Sequence, residues 1–149
     1  MHSVAAAGAG FLLAVLWFDL MFDVQVRGKE GRTLPPEVLD SIAAYYRRVT
    51  TEARPMNRLV SVAMFVTVAA IVVEIAKGVD PLWQSGGSLL FLLGAVGLAL
   101  TRTFRNAATL GGGADTPEIR SRLARLIYRD HLCCLGAIVV VIGLQLAGA

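Results

Sequence analysis

The sequence predicts an all-α polytopic membrane protein, an antiparallel bundle of four transmembrane helices with an amphipathic helix on its cytoplasmic face. Three observations predict it. Only 17% of the 149 residues are charged, where a soluble domain carries about 25%. The apolar residues gather into four blocks, residues 3–26, 59–76, 81–101 and 126–147, each close to the ~20 residues that cross a hydrocarbon core. The basic residues also alternate between connections. Arg27, Lys29, Arg32, Arg47, Arg48, Arg54 and Arg58 follow the first block, and Arg102, Arg105, Arg120, Arg122, Arg125 and Arg129 follow the third. The second connection holds only Lys77. This is the positive-inside pattern: a multi-pass protein of the cytoplasmic (inner) membrane, both termini outside. The net charge of +3 is thus explained by topology, and no nucleic-acid partner is expected. The four spans and their connections form one domain over residues 1–149, with no room for a separate soluble catalytic domain.

The first block reads as a retained span. Its start, "MHS", lacks Lys and Arg, and its small residues, "AAAGAG", precede the bulky ones, whereas a cleavage site would follow them. Those small residues let a neighbouring helix approach closely. In the first connection, Thr33 and the prolines of "TLPPE" suit a helix start. Over residues 37–53, Leu39, Ile42, Tyr46 and Val49 recur at helical spacing, which gives the amphipathic helix. Its apolar stripe can rest on lipid headgroups or on the other helices. Pro55 ends it.

The turn "KGVDPLWQSGG" is short, so spans two and three are antiparallel neighbours, with Trp83 at the outer interface. Glu74 and Lys77 are expected to pair there and reach water. After the flexible "GGGAD", Asp115 or Thr116 can cap a helix that has Pro117 in its first turn and Glu118 in a capping box. That helix should run on into span four. The "GGG" lacks the lysine and the preceding strand of a phosphate loop. Cys133 and Cys134 are adjacent on one helix, point about 100° apart and are read as packing residues.

The polar residues inside the spans carry the functional question. Asp19 and Asp23, in "LWFDLMFDVQVR", share one face of span one. With Arg27 at the membrane edge, Asp23 lies roughly 6 Å inside and Asp19 roughly 12 Å inside. Asp23 can then reach interfacial water, whereas Asp19 needs a partner in the bundle. Arg58, Arg102, Arg105, Asp130 and His131 all enter or leave spans at that same edge. His131 points roughly 150° away from the Arg122–Arg125–Arg129 stripe, towards the interior. Asp19, Asp23 and His131 are therefore the candidate catalytic residues, with Arg58, Arg102 and Arg105 as candidate binding residues. The set serves either as a structural clasp or as a proton-transfer site. One His and two carboxylates are also potential metal ligands, but without HxxxH, ExxH or a second interior histidine no metal is expected.

Three stretches, "RPMNR" before span two, "TRTFRNAATL" after span three and "RLARLIYRDHLCCLG" entering span four, resemble the small four-span membrane proteins grouped with the anthrone oxygenases. That resemblance implies oxygenase-like chemistry and singles out His131 and Asn106. Three functions follow as expectations. The first is a membrane protein whose polar site, oxygenase-like or simply binding, takes an apolar small molecule from the bilayer. The second is a non-catalytic accessory or scaffold subunit, partnered by another membrane protein or by its own copy. The third is an ion or proton conduit, disfavoured because only Gln145 continues a polar path through span four. Membrane lipid is a partner in all three. The residues name neither a cofactor nor a substrate.

Overall fold

The computed structural model describes residues 2–52, 54–113 and 116–147. Ala53 and Asp115 lie outside them, as do the side chains of His2, Arg54, Met56 and Asn57. The described residues form helices and no strands: α1 (His2–Asp23), α2 (Pro36–Arg47), α3 (Arg54–Lys77), α4 (Leu82–Leu98), α5 (Phe104–Gly112) and α6 (Pro117–Ala147). Four helical stretches are long and apolar enough to cross a membrane: Ser3–Val26, Arg58–Lys77, Leu82–Gly112 and Pro117–Ala147. Their outer faces leave Trp17, Phe65, Leu82 and Leu90 more than 60% exposed, which suits a lipid surround rather than water.

Packing runs around a ring in which α1 touches α3 and α6, and α4 touches the same two helices. Ala5, Ala9, Leu12, Ile71, Leu92, Ile138 and Val141 fill its centre. The small residues of α1 act as expected. A Cβ at Gly8 would collide with Thr67 Oγ1, so α1 and α3 meet there almost backbone to side chain.

A second core lies beyond one end of this ring. Leu39, Ile42, Ala43 and Tyr46 of α2 pack with Ala107 and Leu110 of α5 and with Ala124 and Ile127 of α6. The apolar stripe of the amphipathic helix is therefore spent on protein, which resolves the alternative left open by its sequence. The helix starts at Pro36, and Thr33 does not cap it. The loop before it is fixed to α6 by Leu34 N–H donating to Ser121 Oγ (2.8 Å), and α2 itself by an ion pair between Asp40 and Arg120 (3.0 Å).

Two local expectations need correction, and a third choice is resolved. Span three does not give way to a loop after residue 101. The helix widens into a π turn at Ala99–Thr103 and continues as α5 until Gly113, whose φ of +69° ends it. Arginines mark a membrane edge but do not stop a helix, and here Arg102 finds its acceptor on α6. Glu74 does not snorkel beside Lys77. It sits on the inward face of α3, three residues from Ile71, and is wholly buried while Lys77 is exposed. At the start of α6 it is Thr116 that caps, accepting from Ile119 N–H at 3.5 Å.

Candidate functional site

The second core brings α2 against the end of α1, and this contact builds the site. Tyr46 belongs to the apolar stripe of α2 and is 2% exposed. A buried phenol needs a hydrogen-bond partner, and its hydroxyl donates to Asp23 Oδ1 at 2.6 Å. The other carboxylate oxygen, Oδ2, lies 2.6 Å from His131 Nδ1. One helical turn further along α1, Asp19 Oδ1 accepts from the Tyr45 hydroxyl at 2.6 Å, and Asp19 Oδ2 stands 3.8 Å from His131 Nε2. Phe22 stacks on Tyr45 with ring centroids 4.0 Å apart. Gln25 Nε2 donates to Ser41 Oγ at 3.1 Å and further fixes α2 to α1.

The two carboxylates exchange the roles that depth alone gave them. Asp23 is 0% exposed, whereas the side chain of Asp19 keeps 16%. Counting rise from Arg27 assumed water beyond the end of α1. In the structure α2 covers that end, so the shallower residue is the more deeply buried one.

Burial raises the pKa of both tyrosines, and the neighbouring carboxylates push them further up. Both phenols therefore remain protonated donors throughout the physiological range. When the Asp23 carboxylate is ionised both its oxygens accept, and the proton of the 2.6 Å contact then lies on His131 Nδ1. That fixes the ring: Nδ1 is turned to Asp23, and Nε2 is the nitrogen left to accept or release a proton.

His131, Asp19, Tyr45 and Tyr46 line one wall of a cavity of about 120 Å³. The remaining walls are mostly apolar and include Leu12, Val15, Met64, Ala95, Phe104 and Ile138. Asp23 is not among the lining residues; it stands behind His131. Both π turns border this space, Val49 and Thr50 from Arg48–Glu52, and Ala99 and Thr103 from Ala99–Thr103. Such turns recur at functional sites because they redirect side chains that a regular helix would aim elsewhere.

The structure thus unites Asp19, Asp23 and His131, as their positions predicted, with His131 facing inward at 6% exposure. It separates the four candidate binding residues from them. Arg102 is held by Asp130, donating from Nε at 2.8 Å and from Nη2 to the second oxygen, with Thr103 Oγ1 adding a 3.3 Å bond. Arg58 and Arg105 are exposed, and Asn106 is half-buried. None of Arg58, Arg102, Arg105 and Asn106 lines the cavity. Of the residues expected at that edge, Asp19 meets only His131, and the Tyr45 phenol joins it. Sequence reasoning placed Tyr46 only in an apolar stripe and missed Tyr45. The available signal was the adjacent pair of phenols at the end of a helix otherwise destined for burial. His131 Nε2 and Asp19 Oδ2 are 3.8 Å apart on residues that line the cavity, whereas His131 Nδ1 and Asp23 engage each other at 2.6 Å. This donor set suits proton exchange better than metal binding. No protein-family model, curated protein or solved structure matches this chain.

Proposed function

We propose that the chain is a multi-pass protein of the cytoplasmic membrane. Its cavity takes up an apolar small molecule from the bilayer and exchanges a proton with it at His131. One observation carries this reading: an imidazole fixed at Nδ1 by a buried carboxylate borders an apolar chamber, with only the more distant Asp19 Oδ2, 3.8 Å away, beside its Nε2. An Asp–His pair in that arrangement is a general base when the ring is neutral and a general acid when it is charged. The chamber is of the order of the ~150 Å³ apolar cavity that accommodates benzene in an engineered core, so a single aromatic ring is a fitting occupant. The Tyr45 proton is spent on Asp19 Oδ1, so the Tyr45 oxygen and Asp19 Oδ2 both serve as acceptors at the same wall to orient a hydroxyl.

The likeness to the anthrone oxygenase group agrees with a ligand of this kind. Of the two positions it singled out, His131 borders the chamber and Asn106 does not. Conduction is less well supported than binding. Buried Leu92, Ile138 and Val141 pack in the core of the ring, between the His131 cluster and buried Gln145.

A benzene-sized phenol whose colour reports its ionisation, 4-nitrophenol, tests the reading. Purified protein is expected to bind it saturably and to raise its phenolate absorbance at fixed pH. His131→Ala should retain binding but lose the ionised signal. Absence of saturable binding, or an unchanged signal in His131→Ala, would sink the proposal.

The arginine-rich connections set the orientation. In a variant lacking Cys133 and Cys134, Glu30→Cys and Gly112→Cys are expected to react with a membrane-impermeant thiol reagent only from the cytosolic side. Both positions are exposed. Labelling of either one in intact cells would reverse the topology.

A further inference from the structure

A groove of about 450 Å³ runs along the outer side of α6, away from the cavity, and is lined by Arg32, Glu118, Arg122, Arg125 and Arg129 with Ile119 and Leu126. Arg122, Arg125 and Arg129 share one face of α6, and Arg32 reaches them from the loop before α2. Arg125 fixes that loop in place by donating from Nη2 to the carbonyls of Lys29 (3.1 Å) and Gly31 (2.9 Å). Both bonds are to neutral backbone, so they leave its charge uncompensated. Ion pairs among the described residues include Arg102–Asp130, Arg120–Asp40 and those of His131, none of which involves a residue of the groove. Four guanidinium groups therefore face one groove with Glu118 as the single lining carboxylate.

We infer that this groove binds a phosphate group, and specifically the headgroup of an anionic membrane lipid. Guanidinium is the side chain that matches phosphate geometrically, with paired N–H donors on a planar fork. The depth of the groove selects lipid as the source of the phosphate. At about 1.5 Å per residue, the 31 residues of α6 span roughly 46 Å, about 16 Å more than the hydrocarbon core. With Ala147 at the far edge of the core, some 20 residues reach back to about residue 128. Arg129 then sits at the near edge, and Arg125 and Arg122 lie about 6 and 10 Å beyond it. That interval is the headgroup layer. Leu126, between Arg125 and Arg129, and Ile119 add apolar surface to the groove. The inference takes from the proposed function only that α6 crosses a bilayer, and it is independent of the chemistry at His131.

The test uses the full-length protein in nanodiscs of phosphatidylcholine, with phosphatidylglycerol added stepwise and the melting midpoint as readout. Anionic lipid is expected to raise the midpoint, and Arg122→Gln with Arg129→Gln to weaken that response at least tenfold in lipid concentration, since each basic residue near an anionic surface is worth about 1 kcal/mol. Arg48→Gln with Arg105→Gln removes the same charge from exposed positions outside the groove and should leave the response nearly intact. Arg122→Lys with Arg129→Lys keeps the charge without the fork and should fall between; it also serves if the glutamine pair does not fold. Inorganic phosphate in pure phosphatidylcholine discs separates the sources. Protection by phosphatidylglycerol alone establishes the lipid headgroup, whereas equal protection by free phosphate would overturn lipid as the occupant. Equal losses in the groove and control variants, or no response to anionic lipid, would overturn the site itself.

Discussion

Asp23→Ala is expected to be among the most damaging single substitutions in this protein, lowering its stability in detergent micelles by about 3–5 kcal/mol, the usual cost of removing one member of a buried charged pair. The carboxylate is completely buried and accepts from both Tyr46 and His131. Its removal leaves a phenol and an imidazole facing an apolar void, neither with water to replace the lost acceptor. Asp19→Ala should cost distinctly less, because the Asp19 side chain is partly exposed and Tyr45 is less buried than Tyr46. The informative companion is Asp23→Asn. Its amide oxygen can still accept from Tyr46, but its NH₂ group now points at Nδ1, so the ring must move its proton to Nε2. The bonds survive while the cavity-facing nitrogen becomes a donor. Asp23→Asn should therefore unfold much nearer to wild type yet fail to ionise bound 4-nitrophenol. Chemical denaturation and absorbance titration of the two variants separate the roles. If Asp23→Ala proves as stable as wild type, the buried cluster does not exist as described.

Gly111→Ala is expected to destabilise by about 1–3 kcal/mol or more, the cost of overpacking a filled interface, although alanine is the better helix former. A Cβ at this position would stand 2.7 Å from Arg47 N, 2.9 Å from Tyr46 C and 3.0 Å from Arg47 Cα. All three are backbone atoms of α2, so no rotamer change relieves the collision and the two helices must separate. Arg47 Nε also donates to the Gly111 carbonyl at 3.2 Å. Moving α2 displaces Tyr46 from Asp23, so the variant should lose 4-nitrophenol ionisation along with stability. Gly112→Ala is the control, since a Cβ there meets nothing within 4 Å. It should be neutral or slightly stabilising. Equal behaviour of the two alanine variants would show that α2 and α5 are not in backbone contact.

What the sequence made legible follows from the physics each signal reports. Apolar block length reflects transfer free energies summed over many residues, and the four long helices emerged where expected, the third alone running on well past residue 101 to Gly112. The 3.6-residue period likewise placed His131 opposite the Arg122–Arg125–Arg129 stripe and Asp19 beside Asp23. Periodicity tells which face is buried but not what buries it. The stripe through Leu39, Ile42 and Tyr46 gave no hint that α5 would be its partner, because α5 itself hides behind Arg102 and Arg105. From that omission came the other misassignments. Without α5 there is no second core, and without that core Asp23 faces water and Tyr46 is only one more apolar position. Glu74 failed for the same reason, since charge suggested water while its place three residues after Ile71 dictated the interior.

The distances along the chain between members of the His131 cluster impose an order on its biogenesis. In the multi-pass protein proposed above, Asp19 and Asp23 would enter the membrane with the first helix to be synthesised. Their phenol donors follow 26 and 23 residues later, but the imidazole that completes Asp23 comes 108 residues later, on the last helix. At about 5–20 residues per second, the tyrosines are available within about 1–5 s and the histidine only after about 5–20 s. Until then the nascent protein carries two carboxylates in its first span with only hydroxyl groups to stabilise them. Docking of α2 is thus the early safeguard and arrival of α6 the final one. On the proposed membrane reading, a chain that stalls or is truncated before His131 would leave Asp23 without its imidazole partner in the first span.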